Sequence, residues 1–275
     1  MKAKKKGAGI TILAAAAALA FFFPVLIAVV NSFKTQGEIL NSALALPVSP
    51  TWENYAAVIK TADFPRAFLN SCLVTAGGIA LNLSVSALAG YALSRWKSKW
   101  ADVITLVFLS SMFVPFHTIM IALLTTARDL KLTGSIGGLI LIYCGLQCPI
   151  PIFLIKGFVR SIPRELEEAA MIDGCGTVRM FFSVVLPMLR PTMISVGILE
   201  IMWVWNDYLL PYLVLDSTKY KTIPIHIQYL KGSYGTVDLG ATMALIFLSI
   251  VPVIIFYLCC QKHIIKGVAA GAVKG

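Results

Sequence analysis

Long apolar runs recur along the whole chain and leave few folds open to it. They lie at roughly 8–31, 67–93, 101–124, 137–158, 189–215 and 238–261, and each is long enough to cross a bilayer as a helix. A spanning helix needs about 20 apolar residues. Inside a membrane every backbone N–H and C=O must be satisfied within the protein, and a helix does so within a single run. Runs of this length predict helices. The expected fold is therefore an all-α polytopic membrane protein with six transmembrane helices. With 58% hydrophobic and 13% charged residues, the chain has too little polar surface for a separate soluble domain. One membrane domain spanning 1–275 is the expected organisation.

The first run has a basic start at Lys2, Lys4, Lys5 and Lys6, as a signal peptide would. Its apolar stretch from Gly9 to Val30 is about twice the length of a usual signal core, which favours an uncleaved span. Most of the 23 Lys and Arg fall at alternate ends of the runs: at the N-terminus, at Arg95, Lys97 and Lys99, at Lys156, Arg160, Arg164, Arg179 and Arg190, and at Lys262, Lys266 and Lys274. The positive-inside bias places these segments, and both termini, in the cytoplasm. Trp96 and Trp100 suit an interfacial aromatic belt. The net charge of +10 thus marks membrane orientation, and no nucleic-acid partner is expected.

The outer segments are 32–66, with a short helix near 52–62, then 125–136 and 216–237. Small residues crowd 76–90, where they allow close helix packing within the chain or against a second membrane subunit. The six cysteines and three histidines show no metal-site spacing, so no metal and no cofactor are expected on this chain. Cys144 and Cys148 read as small packing residues.

Residues 159–187 are too polar for lipid. Ser161 is predicted to cap a helix with Pro163 in its first turn and Glu165, Glu167 and Glu168 near its start, where the helix dipole favours anions. Ala169 and Ala170 are expected to leave a flat two-alanine face, and Gly174 to end the helix in a left-handed conformation. A second helix is predicted over Thr177 to Val185, with Phe181, Phe182 and Val185 on one side. Pro187 and Pro191 are expected to break the chain before the fifth run. Local physics gives a helix–Gly–helix elbow on the cytoplasmic side, either a surface loop on the headgroups or a knob for a soluble partner.

The run Glu168-Ala169-Ala170-Met171-Ile172-Asp173-Gly174, followed by Leu186-Pro187, resembles the cytoplasmic loop of bacterial ABC-importer permeases. Phe68-Leu69-Asn70-Ser71, Gly90-Tyr91-Ala92-Leu93-Ser94-Arg95, the segment Ile162 to Ala170, Trp205-Asn206-Asp207-Tyr208 and the tail Lys266 to Gly275 resemble the maltose and multiple-sugar branch, and its second permease subunit in particular. Cys175 stands where Ala is more usual. The resemblance implies a non-enzymatic subunit of a carbohydrate importer in a bacterial cytoplasmic membrane. It implies as partners a second homologous permease, an ATPase dimer carrying ATP and Mg, an extracytoplasmic solute-binding protein, and a sugar or oligosaccharide substrate. Coupling to the ATPase would use Glu165, Glu168, Ala169, Ala170, Asp173 and Gly174 in the loop, and Lys266, Gly271 and Lys274 in a tail over 262–275. No G-x-x-x-x-G-K-[ST] occurs in the chain, so hydrolysis belongs to the partner.

In the fifth run, Glu200, Trp203, Val204, Asp207 and Pro211 share a face at 100° per residue, with Asn206 and Tyr208 beside it. Buried acids in a span face the protein interior or water. Two acids with an indole suit a neutral polyol, through hydroxyl hydrogen bonds and stacking on a sugar ring, so Glu200, Trp203, Asn206, Asp207 and Tyr208 are candidate substrate-path residues. A structural polar cluster is the competing explanation. Other solutes, such as a polyamine or glycerol phosphate, remain open. An ion-coupled secondary transporter would show inverted repeats and paired intramembrane charges, and neither is visible.

Overall fold

The computed structural model describes residues 2–60, 63–232 and 238–272, and their side chains apart from those of 2–8, 230–232 and 263–272. All regular structure among the described residues is helical. Four helical stretches are long and apolar enough to cross a membrane: Gly9–Ser32, Phe64–Arg95, Thr177–Asn206 and Leu239–Lys262. Two bent pairs, counted as one span each, bring the total to the expected six. The residues form two compact units, 1–67 with 223–255 and 68–222 with 256–275.

In the first unit, α1 (Lys2–Ser32) passes into a tightly bonded segment. Lys34 is fully buried there, and its ammonium donates to Asn31 Oδ1 and to the carbonyls of Ser42 and Ala43. Asn54 Nδ2 donates to the carbonyls of Ser32 and Lys34. A reciprocal cap between Thr35 and Glu38 starts α2 (Gln36–Asn41). The short helix expected near 52–62 is α3 (Glu53–Lys60). Its Val58 packs on Ala241, Ala244 and Leu245.

In the larger unit, α4 (Phe64–Arg95) is the long second span, and its residues from Phe68 onward lie here. The third run is not one straight helix. It breaks between α5 (Lys99–Ser111) and α6 (Phe116–Asp129), which meet at 104°. Pro115 is the N-cap of α6, with ψ 136; it has no N–H for the carbonyl of Ser111 and disfavours helical backbone at Val114 before it, so α5 does not continue through it. The fourth run likewise bends by 54° between α7 (Ile136–Gln147) and α8 (Pro149–Arg160). Pro149 has no N–H for the carbonyl of Gly145. The thiol of buried Cys148 donates to that carbonyl at 3.3 Å, so this cysteine does more than fill space.

The chain then forms α9 (Arg164–Ile172) and α10 (Thr177–Met180), passes through a π turn (Phe181–Val185), and continues as α11 (Leu186–Asn206). The expected break at Pro187 and Pro191 does not occur. Pro187 lies in the first turn of α11, and the wide π turn before it gives the ring room that a regular α turn lacks. Pro191 is carried inside the helix, as membrane helices tolerate. At its far end α11 stops at Asn206, short of the expected 215. Asn206 Nδ2 donates to the carbonyl of Met202, and Asp207 Oδ1 accepts the N–H of Leu209, so side chains satisfy the helix end and start α12 (Leu209–Val214). Then come α13 (Ile223–Gly232) and α14 (Leu239–Ala272).

Helices α4 and α8 approach closely at Gly90. A Cβ there would lie 2.8 Å from Ile155 Cγ2 and 3.1 Å from the carbonyl oxygen of Ile152. Gly90→Val is expected to cost about 1–3 kcal/mol, read as a lower melting temperature of the detergent-purified protein. An unchanged melting temperature would contradict this packing.

Candidate functional site

The elbow around Gly174 has a well-defined backbone cause. Gly174 has φ +84, which L side chains rarely adopt. The N–H of Gly174 donates to the carbonyl of Met171, and the N–H of Cys175 to that of Ala170. This pair of bonds is a Schellman turn, closed by an apolar contact between the residues that flank it. Cys175 makes that contact: it packs on the core cluster that contains Ala170. The small, apolar character of position 175 follows from this turn.

The start of α9 differs from expectation. Pro163, with ψ 134, is its N-cap, while Ser161 belongs to the end of α8, where its hydroxyl donates to the carbonyl of Phe158. A residue before proline is held off helical geometry, so Ile162 cannot begin the helix.

Glu165, Glu168, Ala169 and Ile172 form the outward stripe of α9, at helical spacing, with Ile172 86% exposed. Asp173 and Gly174 are also exposed. The expected two-alanine face is corrected: Ala170 is buried in the core with Ile162, Met180, Phe181, Val185 and Leu189. In the following turn Phe181 and Val185 are buried but Phe182 is exposed, so the three do not share a side. The elbow therefore presents carboxylates at one end of its stripe and aliphatic carbon at the other, joined by exposed Leu166, Met171 and Val178.

What holds the elbow is Glu167, only 6% exposed. Its carboxylate accepts from Arg95 Nε at 2.8 Å and from the Tyr91 hydroxyl at 2.9 Å, and it pairs with a second guanidinium nitrogen of Arg95. That nitrogen also donates to the carbonyl of Ile162 at 3.0 Å. The Tyr91 ring leans on Phe181, with centroids 5.2 Å apart. One acid of α9 is thereby bound to the last turn of α4, and the same contacts reach the link between α8 and α9 and the π turn. The sequence reading gave Glu167 a helix-dipole role and Arg95 a part in the positive-inside bias, but did not pair them. Two signals were available. Tyr91 and Arg95 stand four apart on one face at a helix end, and Glu167 is in phase with Ala170, three residues on, whereas Glu165 and Glu168 are not.

The candidate substrate-path residues are not brought onto one stripe. Glu200 is buried, and its Oε1 accepts from Asn82 Nδ2 at 3.0 Å; Asn82 Oδ1 in turn accepts from the Ser86 hydroxyl. Glu200 Oε2 has no partner among the described residues. Trp203 is 75% exposed, on a different part of the helix surface. Asn206 is exposed and spends its amide on the helix end. Asp207 lies beyond the helix, where Oδ2 accepts from the Tyr143 hydroxyl at 2.7 Å. Tyr208 stacks on Tyr212 at 5.2 Å. The 100° projection placed Glu200, Trp203, Asp207 and Pro211 together, but the helix stops before Asp207 and its last turns split Glu200 from Trp203. Of the tail residues, Lys274 lies outside the described residues, as does the side chain of Lys266, and Gly271 is described only as part of the α14 backbone.

A family model described as "Binding-protein-dependent transport system inner membrane component" matches residues 83–269. The probable starch degradation products transport system permease protein AmyC of Thermoanaerobacterium thermosulfurigenes is 37% identical, over 96% of this chain and 96% of its own. The melibiose/raffinose/stachyose import permease protein MelC of Bacillus subtilis (strain 168) is 31% identical, over 97% of this chain and 96% of its own. In fold, the chain is similar to a crystal structure of a bacterial ABC transporter involved in import of the acidic polysaccharide alginate, with TM-score 0.81, 23% identity, and coverage of 94% of this chain and 96% of that one.

The buried pair between α9 and α4 makes a direct test. Arg95→Gln and Glu167→Gln are each expected to cost about 3 kcal/mol, because each strands a buried charge. The double variant should cost little more than either alone. Thermal unfolding in detergent measures all three, and additive or negligible losses would contradict the coupling.

Proposed function

The chain belongs to the binding-protein-dependent transport system inner membrane components, and on that premise we propose that it is a permease subunit of a bacterial ATP-driven carbohydrate importer. It is a multi-pass membrane protein and not an enzyme. What supports a carbohydrate cargo is its similarity, along nearly the whole chain, to permeases named for starch degradation products and for melibiose, raffinose and stachyose.

In this reading residues 1–275 act as one transmembrane domain that forms half of a translocation pathway beside a second homologous permease. A solute-binding protein delivers sugar on the outer side, and an ATPase dimer, which holds ATP and Mg, works on the inner side. Both termini lie in the cytoplasm, as the basic segments suggest. The elbow, 159–187, is the contact with the ATPase. Its stripe offers the Glu165 and Glu168 carboxylates to basic groups, and Ala169 and Ile172 to an apolar hollow; Asp173 and Gly174 shape the turn. When the ATPase closes, α9 moves as a solid piece, since Glu167 and Ala170 fix it to the inner end of α4 and to α8 and α11. Along the solute path, exposed Trp203 is the residue of α11 best placed to meet a sugar ring. Glu200 and Asp207, tied to Asn82 and Tyr143, brace the helices that frame the path.

Two variants test the coupling. A side chain at Gly174 meets nothing within 4 Å, so Gly174→Val acts through its left-handed backbone alone. Glu168→Lys reverses an exposed charge. Both should insert normally, yet lose the ATPase on purification or lose the stimulation of hydrolysis by sugar-loaded binding protein. Uptake of labelled oligosaccharide by cells should fall with it. Normal stimulated turnover in both variants would overturn the coupling role, and uptake of polyamine or glycerol phosphate in place of sugar would overturn the cargo.

A further inference from the structure

Helices α5 and α8 enclose a cleft of about 220 Å³ that the transport reading does not use. Its two walls carry the same gradient. On α5 the cleft is lined from Asp102 through Leu106 to Leu109, and on α8 from Arg160 through Gly157 to Phe153. The charged end of each stripe is the basic end of its helix, next to exposed Lys99 and exposed Trp100, and the far end is apolar. A cleft that is ionic at the membrane surface and apolar towards the membrane interior has the polarity of a phospholipid.

The charged end is built. Lys156 is 4% exposed, and its three N–H groups go to the carbonyl of Ala101 at 3.0 Å, to Thr105 Oγ1 at 2.6 Å and to Asp102 Oδ1 at 2.8 Å. Arg160 gives one N–H to the same Asp102 oxygen at 2.8 Å. A guanidinium has five N–H donors, so Arg160, which is exposed, keeps others for an anion. Lys156 and Arg160 outnumber the one carboxylate, Asp102, and the site is net positive.

Gly157 supplies a second, independent observation. It lies mid-helix in α8 with no left-handed φ, and a Cβ at this position would meet nothing within 4 Å. Glycine in a helix interior costs about 0.8–1.0 kcal/mol relative to alanine. Neither a turn nor a close helix approach requires it here. Its effect is to keep the middle of the cleft open.

We propose that this cleft binds an anionic phospholipid, with the phosphate at Arg160 and one acyl chain along Gly157, Leu106 and Phe153. Charge complementarity selects an anionic over a zwitterionic headgroup, since a basic residue at an anionic membrane surface favours such lipid by about fivefold.

The test is lipid retention by the full chain, purified from membranes into detergent and exchanged into nanodiscs of mixed phosphatidylglycerol and phosphatidylcholine. Phosphatidylglycerol bound to the protein is quantified by mass spectrometry. The wild type should retain it in preference to phosphatidylcholine, and added inorganic phosphate should not displace it. Gly157→Leu fills the cleft and should abolish the preference. Arg160→Gln should reduce it about fivefold without filling the cleft, so it serves if Gly157→Leu misfolds. Lys97→Gln, outside the cleft, should leave the preference unchanged. Equal retention of the two lipids by the wild type, undiminished preference in Gly157→Leu or Arg160→Gln, or displacement by phosphate would each overturn the proposal.

Discussion

An ion pair between two residues far apart in the chain, Arg95 and Glu167, organises the part of the larger unit that carries the elbow. A carboxylate buried to this degree must be paired and hydrogen-bonded, or it is strongly destabilising. Arg95 and Tyr91 supply three donors to it from one face of α4, and Arg95 also caps the carbonyl of Ile162 just before α9 begins. Once Glu167 is fixed inward, helix geometry turns Ala170 into the core and sends Glu165, Glu168, Ala169 and Ile172 outward. The Schellman turn at Gly174 then returns the chain to the core through Cys175 and Met180. An exposed stripe on a nine-residue helix could not by itself hold a fixed orientation. Bound at its inner face to α4, it can transmit a push.

Proline is the second organising element. Pro115 and Pro149 each remove a backbone donor, and the third and fourth runs bend where they do. At Cys148 the orphaned carbonyl is answered by a thiol, and at Asn206 a helix end is answered by a side-chain amide. Pro187 is accommodated by a π turn that lies directly between the elbow and the fifth span. The irregular backbone of this chain is thus concentrated where helices meet the elbow or change direction, and much of it is locally satisfied by hydrogen bonds.

The apolar runs made the helical membrane fold legible, since hydropathy acts through length and composition and needs no tertiary information. The elbow was legible for a similar reason: left-handed backbone at Gly174 is a local requirement. The bends at Pro115 and Pro149 were not anticipated, because hydropathy does not register a missing N–H, while the expected break at Pro187 failed because a membrane helix can widen a turn. Ser161 was placed at the wrong helix because a cap is decided by which backbone group lies within reach. The inward face of α9 was hidden because its phase depends on Arg95, more than sixty residues away in the chain. The shared face proposed for Glu200 and Asp207 assumed a helix that continues past Asn206, and a side-chain cap ends it.

The central claim is that α9 and the C-terminal end of α4 move as one body through the transport cycle. Spin labels at Arg164→Cys, an exposed residue of α9 outside the docking stripe, and Lys97→Cys, in a background with Cys175 replaced by alanine and the other native cysteines by serine, report the separation of these two elements by pulsed electron resonance in the assembled transporter. The account predicts one unchanged distance distribution in the resting, ATP-bound and post-hydrolysis states, and a broadened or shifted one after Glu167→Gln. A distribution that shifts on ATP binding in the otherwise native protein would contradict it.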